Sequence, residues 1–144
     1  MKHNLILRVV SKFLIPLIFL FALYVQFHGD FGPGGGFQAG VIFSAAIILY
    51  ALVFGVDSAK KVIPSYILRI LASLGVLIYA ATGVASLLLG GNYLEYGVLS
   101  SSQVAGQHLG ILVIELGVGI TVMAVMLIIF FAFAERGRPV ENSE

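Results

Sequence analysis

The sequence has no cysteine and few charged residues. Only 10% of its 144 residues are Asp, Glu, Lys or Arg. The absence of thiols excludes disulfides, iron–sulfur clusters, metal sites with thiolate ligands and cysteine nucleophiles. An average soluble domain is about 25% charged and about 45–50% apolar, whereas 60% of this chain is hydrophobic. The composition is therefore not typical of a soluble domain.

Four long apolar runs account for this excess, at residues 9–27, 37–56, 68–89 and 108–134. A helix needs roughly 20 predominantly apolar residues to cross a bilayer, and none of the runs has the polar stripe of a surface helix. The first run could instead belong to a secretory signal, but no small-residue cleavage pattern follows it. We therefore predict an all-α membrane protein with four transmembrane helices, forming a single domain over residues 1–144.

The basic residues are unevenly distributed among the connections. They lie before the first run, in the second connection and after the fourth run, whereas the first and third connections have none. Because Lys and Arg near span ends stay on the cytoplasmic side, we predict that both termini and the 57–69 connection are cytoplasmic. Lys60, Lys61 and Arg69 are thus interpreted as topology determinants, with binding of anionic lipids as an alternative.

Small residues follow one face of the later spans, where they would let helix backbones approach closely. Gly75 and Gly83 lie on such a face of the third span, and Gly110 and Gly117 on one of the fourth. The fourth span has a second unusual face, because His108 lies two helical turns before an acidic residue on the side opposite the small residues. We expect protein on both sides of this helix and interpret that as a sign of partner subunits.

The most unusual segment is HGDFGPGGGFQAG, residues 28–40, between the first two spans. Its glycines match part of a dinucleotide-binding pattern, but such a site requires a preceding strand and a soluble cleft. We instead expect the glycines to reverse the chain tightly and to expose backbone amides. His28 and Asp30 favour either a polar turn at the membrane surface or a place at the mouth of an ion or proton path.

Glu115 lies inside the fourth apolar run. A charged side chain deep in a bilayer costs at least about 2.5–3.5 kcal/mol, so we expect it to face protein or water, to pair with another group, or to be protonated. His108 shares its face but lies about 10 Å away along the helix axis. Two interpretations stay open: a structural hydrogen bond to a neighbouring helix, or a proton or cation relay.

Two segments of the sequence resemble the MrpB (MnhB) family of small membrane subunits. They are residues 28–40 and the run HLGILVIELGVGI, residues 108–120, and the resemblance extends over nearly the whole chain. The specific pattern is H-x-x-x-x-P-G-G-G-F-x-x-G, which here comprises His28, Pro33, Gly34, Gly35, Gly36, Phe37 and Gly40.

The resemblance implies an accessory subunit of a multisubunit antiporter for Na+ (or another monovalent cation) and H+ in the prokaryotic inner membrane. Such a subunit assembles with larger proton-channel subunits and contacts lipids; we expect no enzymatic activity, no cofactor, no bound metal and no nucleic-acid partner. Two alternatives stay open: the equivalent subunit in the sodium/proton module of a membrane-bound hydrogenase or related respiratory complex, and a structural scaffold or homo-oligomeric pore. Candidates for an ion or proton path are Glu115, His108, His28 and Asp30.

Overall fold

A computed structural model describes residues 5–29 and 33–136, and this part of the chain contains helices and no β-strand. Four of the helices are long and apolar enough to cross a membrane. The predicted all-α class with four spanning helices is therefore confirmed, while the cytoplasmic position of the termini stays a prediction. The α-helices are α1 (Leu5–His28), α2 (Gly36–Phe54), α3 (Val56–Val62), α4 (Ser65–Leu88) and α5 (Gln103–Arg136).

Several helices extend beyond the apolar runs from which the spans were predicted. The longest, α5, has 34 residues, which corresponds to about 51 Å and exceeds the roughly 30 Å hydrocarbon core of a bilayer. It begins at Gln103 rather than at residue 108, and α1 begins at Leu5 rather than at residue 9. Helices continue into polar residues at the bilayer surface, and a search for apolar runs leaves those residues out.

The connection between α2 and α4 contains a short helix, α3, which the sequence does not predict. Gly55, with a φ of 102°, separates α2 from α3. Asp57 lies in the first turn of α3 and Lys60 in its last, and both positions are favourable for the helix dipole. Lys60 also forms an ion pair with Glu135 near the end of α5, and its ammonium lies 5.6 Å from the centre of the Phe131 ring.

The four spanning helices pack with α5 between α2 and α4, while α1 lies against α2. A Cβ on Gly40 of α2 would be 2.6 Å from the carbonyl oxygen of Gly119 in α5. On the other side, a Cβ on Gly75 of α4 would be 2.6 Å from the carbonyl oxygen of Gly117. The chain's own helices thus cover both faces of α5. These contacts account for the small residues on both faces within one chain, so the expected partner subunits are not needed to explain them.

The two ends of the bundle differ in composition. At the end that holds α3, which we call the α3 end, buried apolar residues form the core: Ile47, Ala51, Ala59, Leu68, Ala124, Leu127 and Phe131. The opposite end holds the end of α1, the start of α2 and the start of α5, and we call it the glycine-loop end. Most large apolar side chains of α1 are exposed along the whole bundle, so this helix offers an apolar face to lipid or to other chains.

At the glycine-loop end, the connection between α4 and α5 packs two tyrosine rings onto glycines. The ring of Tyr93 covers Gly83 of α4. Tyr96, which begins a short 3-10 helix, covers Gly110 of α5. The nearest neighbours of these two glycines are therefore aromatic rings of the connection rather than atoms of another spanning helix.

Candidate functional site

The turn between α1 and α2, whose described residues are 28–29 and 33–36, folds back onto the end of α1; we call it the glycine loop. The N–H of Gly35 donates a hydrogen bond to the carbonyl oxygen of Val25 at 3.1 Å. Gly35 has a φ of 115°, which residues with a side chain rarely adopt. A Cβ on Gly34 would be 2.8 Å from the same carbonyl oxygen of Val25. The reversal therefore needs glycine at both positions, for two different reasons.

The carboxyl group of Glu115 lies directly over this loop. A Cβ on Gly29 would be 2.5 Å from its Oε1 and 2.9 Å from its Oε2, and a Cβ on Gly35 would be 2.9 Å from Oε1. A Cβ on Gly36 would overlap the backbone carbonyl oxygen of Glu115. The carboxyl group and the adjacent backbone of α5 thus occupy space that exists because these three residues have no side chains.

The loop also brings the amino end of α2 to this carboxyl group. α2 begins at Gly36, its N-cap is Gly35, and its first turn contains no acidic residue. The first N–H groups of a helix lack intrahelical partners and carry partial positive charge, so a nearby anion is typically stabilised by about 0.3–1 kcal/mol. The first turn of α2 has no acidic residue of its own. The carboxyl group of Glu115, which is half-buried, supplies a negative group at this position from another helix.

A cavity of about 300 Å³ opens beside the carboxyl group. A water molecule takes about 30 Å³ in the liquid, so the cavity has room for several waters or a small hydrated cation. Of the residues that line it, Glu115 alone has an ionisable side chain; the lining residues are Gly34, Gly35, Gly36, Phe37, Gln38, Ile114, Glu115 and Val118.

The other candidate residues have different positions. His28 ends α1 next to Gly29, and its ring stacks on that of Tyr24 with the ring centres 4.9 Å apart. His108 is exposed near the start of α5, two turns before Glu115. Asp30 lies outside the described residues. Within residues 5–29 and 33–136, no group of three or more His, Asp or Glu residues is arranged to hold a metal ion.

Comparison with known proteins identifies the family. The family model described as a domain related to the MnhB subunit of the Na+/H+ antiporter matches residues 6–128. The chain belongs to this MnhB family. Similar proteins named antiporter subunit mnhB2 occur in Staphylococcus aureus strains Newman, JH1 and COL. Each is 35% identical over 134 residues, which cover 85% of this chain and 94% of the relative.

The family assignment agrees with the resemblance seen in the sequence and sets the cellular location. An MnhB-family chain with four spanning helices is a multi-pass protein of the prokaryotic cell membrane. The matched residues include the whole glycine-loop motif and Glu115. Within the motif, Pro33 lies in the turn, Phe37 is exposed beside the cavity, and Gly40 packs against α5.

One further residue near the candidate site does not stand out in the sequence. Gln26 of α1 is only 4% exposed, and its Oε1 would be 2.7 Å from a Cβ on Gly119. Its Nε2 is buried and has no hydrogen-bond partner in the described part of the chain. The sequence signal is the single amide in the otherwise apolar stretch LFALYVQF, because a polar side chain within a span needs a partner or a function.

Proposed function

We propose that this chain is an accessory membrane subunit of a multisubunit antiporter for Na+ (or another monovalent cation) and H+, and that Glu115 takes part in the exchange. The family model names the MnhB subunit of such an antiporter, and the relatives are named antiporter subunits. The observation that supports a role for Glu115 is the position of its carboxyl group. This group lies against the glycine loop and beside a cavity that can hold water.

The surroundings of Glu115 suit a group that changes its protonation state. Partial burial favours the neutral acid, whereas the amino end of α2 favours the carboxylate. These two influences oppose each other at one site. The adjacent cavity offers a route by which a proton can leave the carboxyl group and a cation can approach it.

The chain carries too few ionisable groups to act as a complete antiporter. Glu115 is the one acidic residue within the four apolar runs. We therefore propose that it assembles with larger membrane subunits that contain the proton channels, with the exposed face of α1 contacting those subunits or lipid. In this arrangement both termini are cytoplasmic, the glycine-loop end faces outward, and the chain catalyses no reaction of its own.

The substitution Glu115→Gln tests the role of the carboxyl group. Gln retains the shape of the side chain but cannot ionise. We therefore expect Na+-driven proton movement in inverted membrane vesicles to fall by about tenfold or more, because a group that transfers protons typically contributes about a hundredfold or more to a rate. The amount of assembled complex should not change. The matched control is Glu95→Gln, because Glu95 is exposed in the connection before α5; this variant should exchange normally.

Two outcomes would contradict the proposal. Normal exchange by the Glu115→Gln complex would exclude the role of the carboxyl group. Mass spectrometry of the subunits that co-purify in mild detergent tests the assignment of the complex itself. Recovery with hydrogenase subunits rather than with proton-channel subunits of an antiporter would place the chain in a respiratory complex.

A further inference from the structure

We propose that Gln26 is a positioning residue for Glu115: its amide donates a hydrogen bond to the carboxylate when the carboxylate moves away from the glycine loop. This inference rests on the proposed role of Glu115 in exchange. It assigns two positions to one carboxyl group. The first is over the glycine loop, and the second is about one helical turn further along α5, beside Gln26.

The first argument is the unsatisfied donor of Gln26. The side chain is 4% exposed, and its Nε2 is enclosed without a hydrogen-bond partner among the described residues. Buried polar groups in native proteins nearly always have a partner, and the partnerless state is especially unfavourable within a membrane span, where lipid offers no acceptor. Gln26 therefore requires an acceptor that the described residues do not supply in this state.

Water does not meet this requirement. Gln26 lines a cavity of about 290 Å³ between α1 and α5, but the other lining residues are apolar or glycine: Leu23, Phe27, Phe43, Leu116, Gly119, Ile120 and Met123. A buried water typically needs two to four polar partners, and large apolar cavities stay dry. The acceptor must therefore come from the protein.

Glu115 is placed to supply that acceptor. Gln26 lies against Gly119, which is one turn after Glu115 on the same face of α5, about 6 Å along the axis. The Cα of Gly36 would be 3.6 Å from a Cβ on Gly119, and a Cβ on Gly36 would overlap the carbonyl oxygen of Glu115. The Gly36 carbonyl oxygen would be still closer to the Cβ on Gly119, at 3.1 Å. The backbone of Gly36 thus lies between the two positions, and the carboxyl group has to pass only this backbone, which carries no side chain, to reach the amide.

The two positions differ in their access to water. Over the glycine loop, the carboxyl group borders the 300 Å³ cavity and can release its proton there. The resulting carboxylate can then turn toward Gln26, whose flexible side chain has room to rotate in the cavity beside it. The hydrogen bond from the amide favours the ionised form of Glu115. Removal of the Gln26 amide should therefore change the pH dependence of exchange.

Other titratable groups near this end must be separated from this effect. α2 contains no charged side chain. The pKa of Tyr96 is raised, mainly by burial and to a lesser extent by the nearby Tyr79, so Tyr96 does not titrate in the acid range. Tyr24 on α1, Tyr79 on α4 and Tyr93 in the connection before α5 are further phenol groups among the described residues. The acidic and imidazole groups near this end are His28 on α1, His108 on α5, Glu95 in the connection before α5, and Asp30, which lies outside the described residues. The shift described below should persist when each is replaced by its amide or by Asn.

The test compares the pH dependence of exchange in vesicles that contain the complete complex. Gln26→Met keeps the length and shape of the side chain but removes the amide. A hydrogen bond to a charged group corresponds to about one pH unit or more, so we expect the midpoint of the acid limb to move up by about one unit. Gln26→Asn keeps an amide on a shorter chain and should give a smaller shift. The matched control is Gln107→Leu, an exposed amide on α5, which should leave the midpoint unchanged.

A stability measurement gives an independent readout. Because none of the described residues accepts a hydrogen bond from Nε2 while the carboxyl group lies over the loop, Gln26→Met should not lower the thermal stability of the complex. An unchanged midpoint in Gln26→Met overturns the proposal, and so does a uniform loss of rate at every pH. Failure of both Gln26→Met and Gln26→Leu to assemble would show that the amide has a structural partner, which also overturns it.

The failure of this inference differs from failure of the proposed function. If Glu115→Gln is inactive but Gln26→Met has the wild-type pH profile, only the positioning role is lost. If Glu115→Gln exchanges normally, both proposals fail.

Discussion

The two ends of the bundle use charged groups in opposite ways. At the α3 end, Lys60 and Glu135 form an ion pair near the surface, above a core in which Leu68 and Leu127 are completely buried. At the glycine-loop end, the acidic group of Glu115 lies inside the span, against a loop without side chains. The first arrangement is one that stabilises a fold. The second leaves cavities and a partly buried carboxyl group. This arrangement costs stability, and it fits the exchange role that we propose for Glu115.

This difference suggests the hypothesis that the α3 end mainly determines stability, whereas the glycine-loop end mainly determines exchange. Substitutions at the α3 end should change stability with little effect on the exchange properties of the assembled protein. Substitutions at the glycine-loop end should change exchange with little effect on stability, as long as they move only the end of a side chain. The following substitutions test this contrast.

The largest expected effect comes from Gly29→Ala. The new Cβ would be 2.5 Å from Oε1 of Glu115 and 3.0 Å from its Cδ, so the flexible carboxyl group must move while the backbone can stay. Because a misplacement of about 1 Å can cost as much as a hundredfold in rate, we expect exchange in vesicles to fall about tenfold or more. The amount of complex should stay near wild type.

The control for Gly29→Ala is Gly97→Ala at the same end. The nearest atom to a Cβ there is Cγ of Gln103 at 3.1 Å, also part of a flexible side chain, so this variant should exchange normally. Equal activity of Gly29→Ala and wild type would show that the place of the carboxyl group over the loop is unimportant.

A large effect on stability, without an effect on exchange, is expected from Leu127→Ala at the α3 end. Leu127 is 0% exposed within the core, and truncation of a buried Leu typically costs about 2–5 kcal/mol. Thermal denaturation in detergent should show a clearly lowered midpoint, whereas the pH profile of the remaining complex should match wild type. Leu52→Ala, at an exposed position of the same end, should change the midpoint little. A shifted pH profile in Leu127→Ala would contradict the separation of the two ends.

The smallest effect is expected from Lys60→Met. The ion pair with Glu135 is partly exposed, with side-chain exposures of 23% and 57%, and such pairs typically contribute about 0–1 kcal/mol. Met retains most of the packing on Phe131, so the denaturation midpoint should fall only slightly and the difference should shrink in high salt. Lys61→Met removes a neighbouring charge at an exposed position and serves as the control. A loss as large as that of Leu127→Ala would show that the ion pair holds the fold together.

The sequence predicts the spanning helices well because their signal is local. Each apolar run is long enough to cross a bilayer, and no tertiary contact is needed to see it. The short helix α3 was missed because it has seven residues and no apolar run. The start of α5 at Gln103 was missed because its first turns are polar.

The candidate site was predicted only in part because its contacts are tertiary. Glu115 stands out because an acidic residue inside a span is costly, and the glycine loop stands out by composition. The contact between them joins residues far apart in the sequence, so periodicity pointed to His108, on the same helix, instead. Gln26 is a weaker sequence signal because a neutral amide carries no charge; its burial, and the lack of a partner for its donor among the described residues, become visible only in the structure.

The most direct test of the central claim is infrared difference spectroscopy of the purified complex when Na+ is added. If Glu115 exchanges a proton for a cation, Na+ should remove the C=O stretching band of a protonated carboxyl group in the wild type and in Glu95→Gln. That change should be absent in Glu115→Gln. The same band change in Glu115→Gln would show that the exchanging carboxyl group lies elsewhere in the complex.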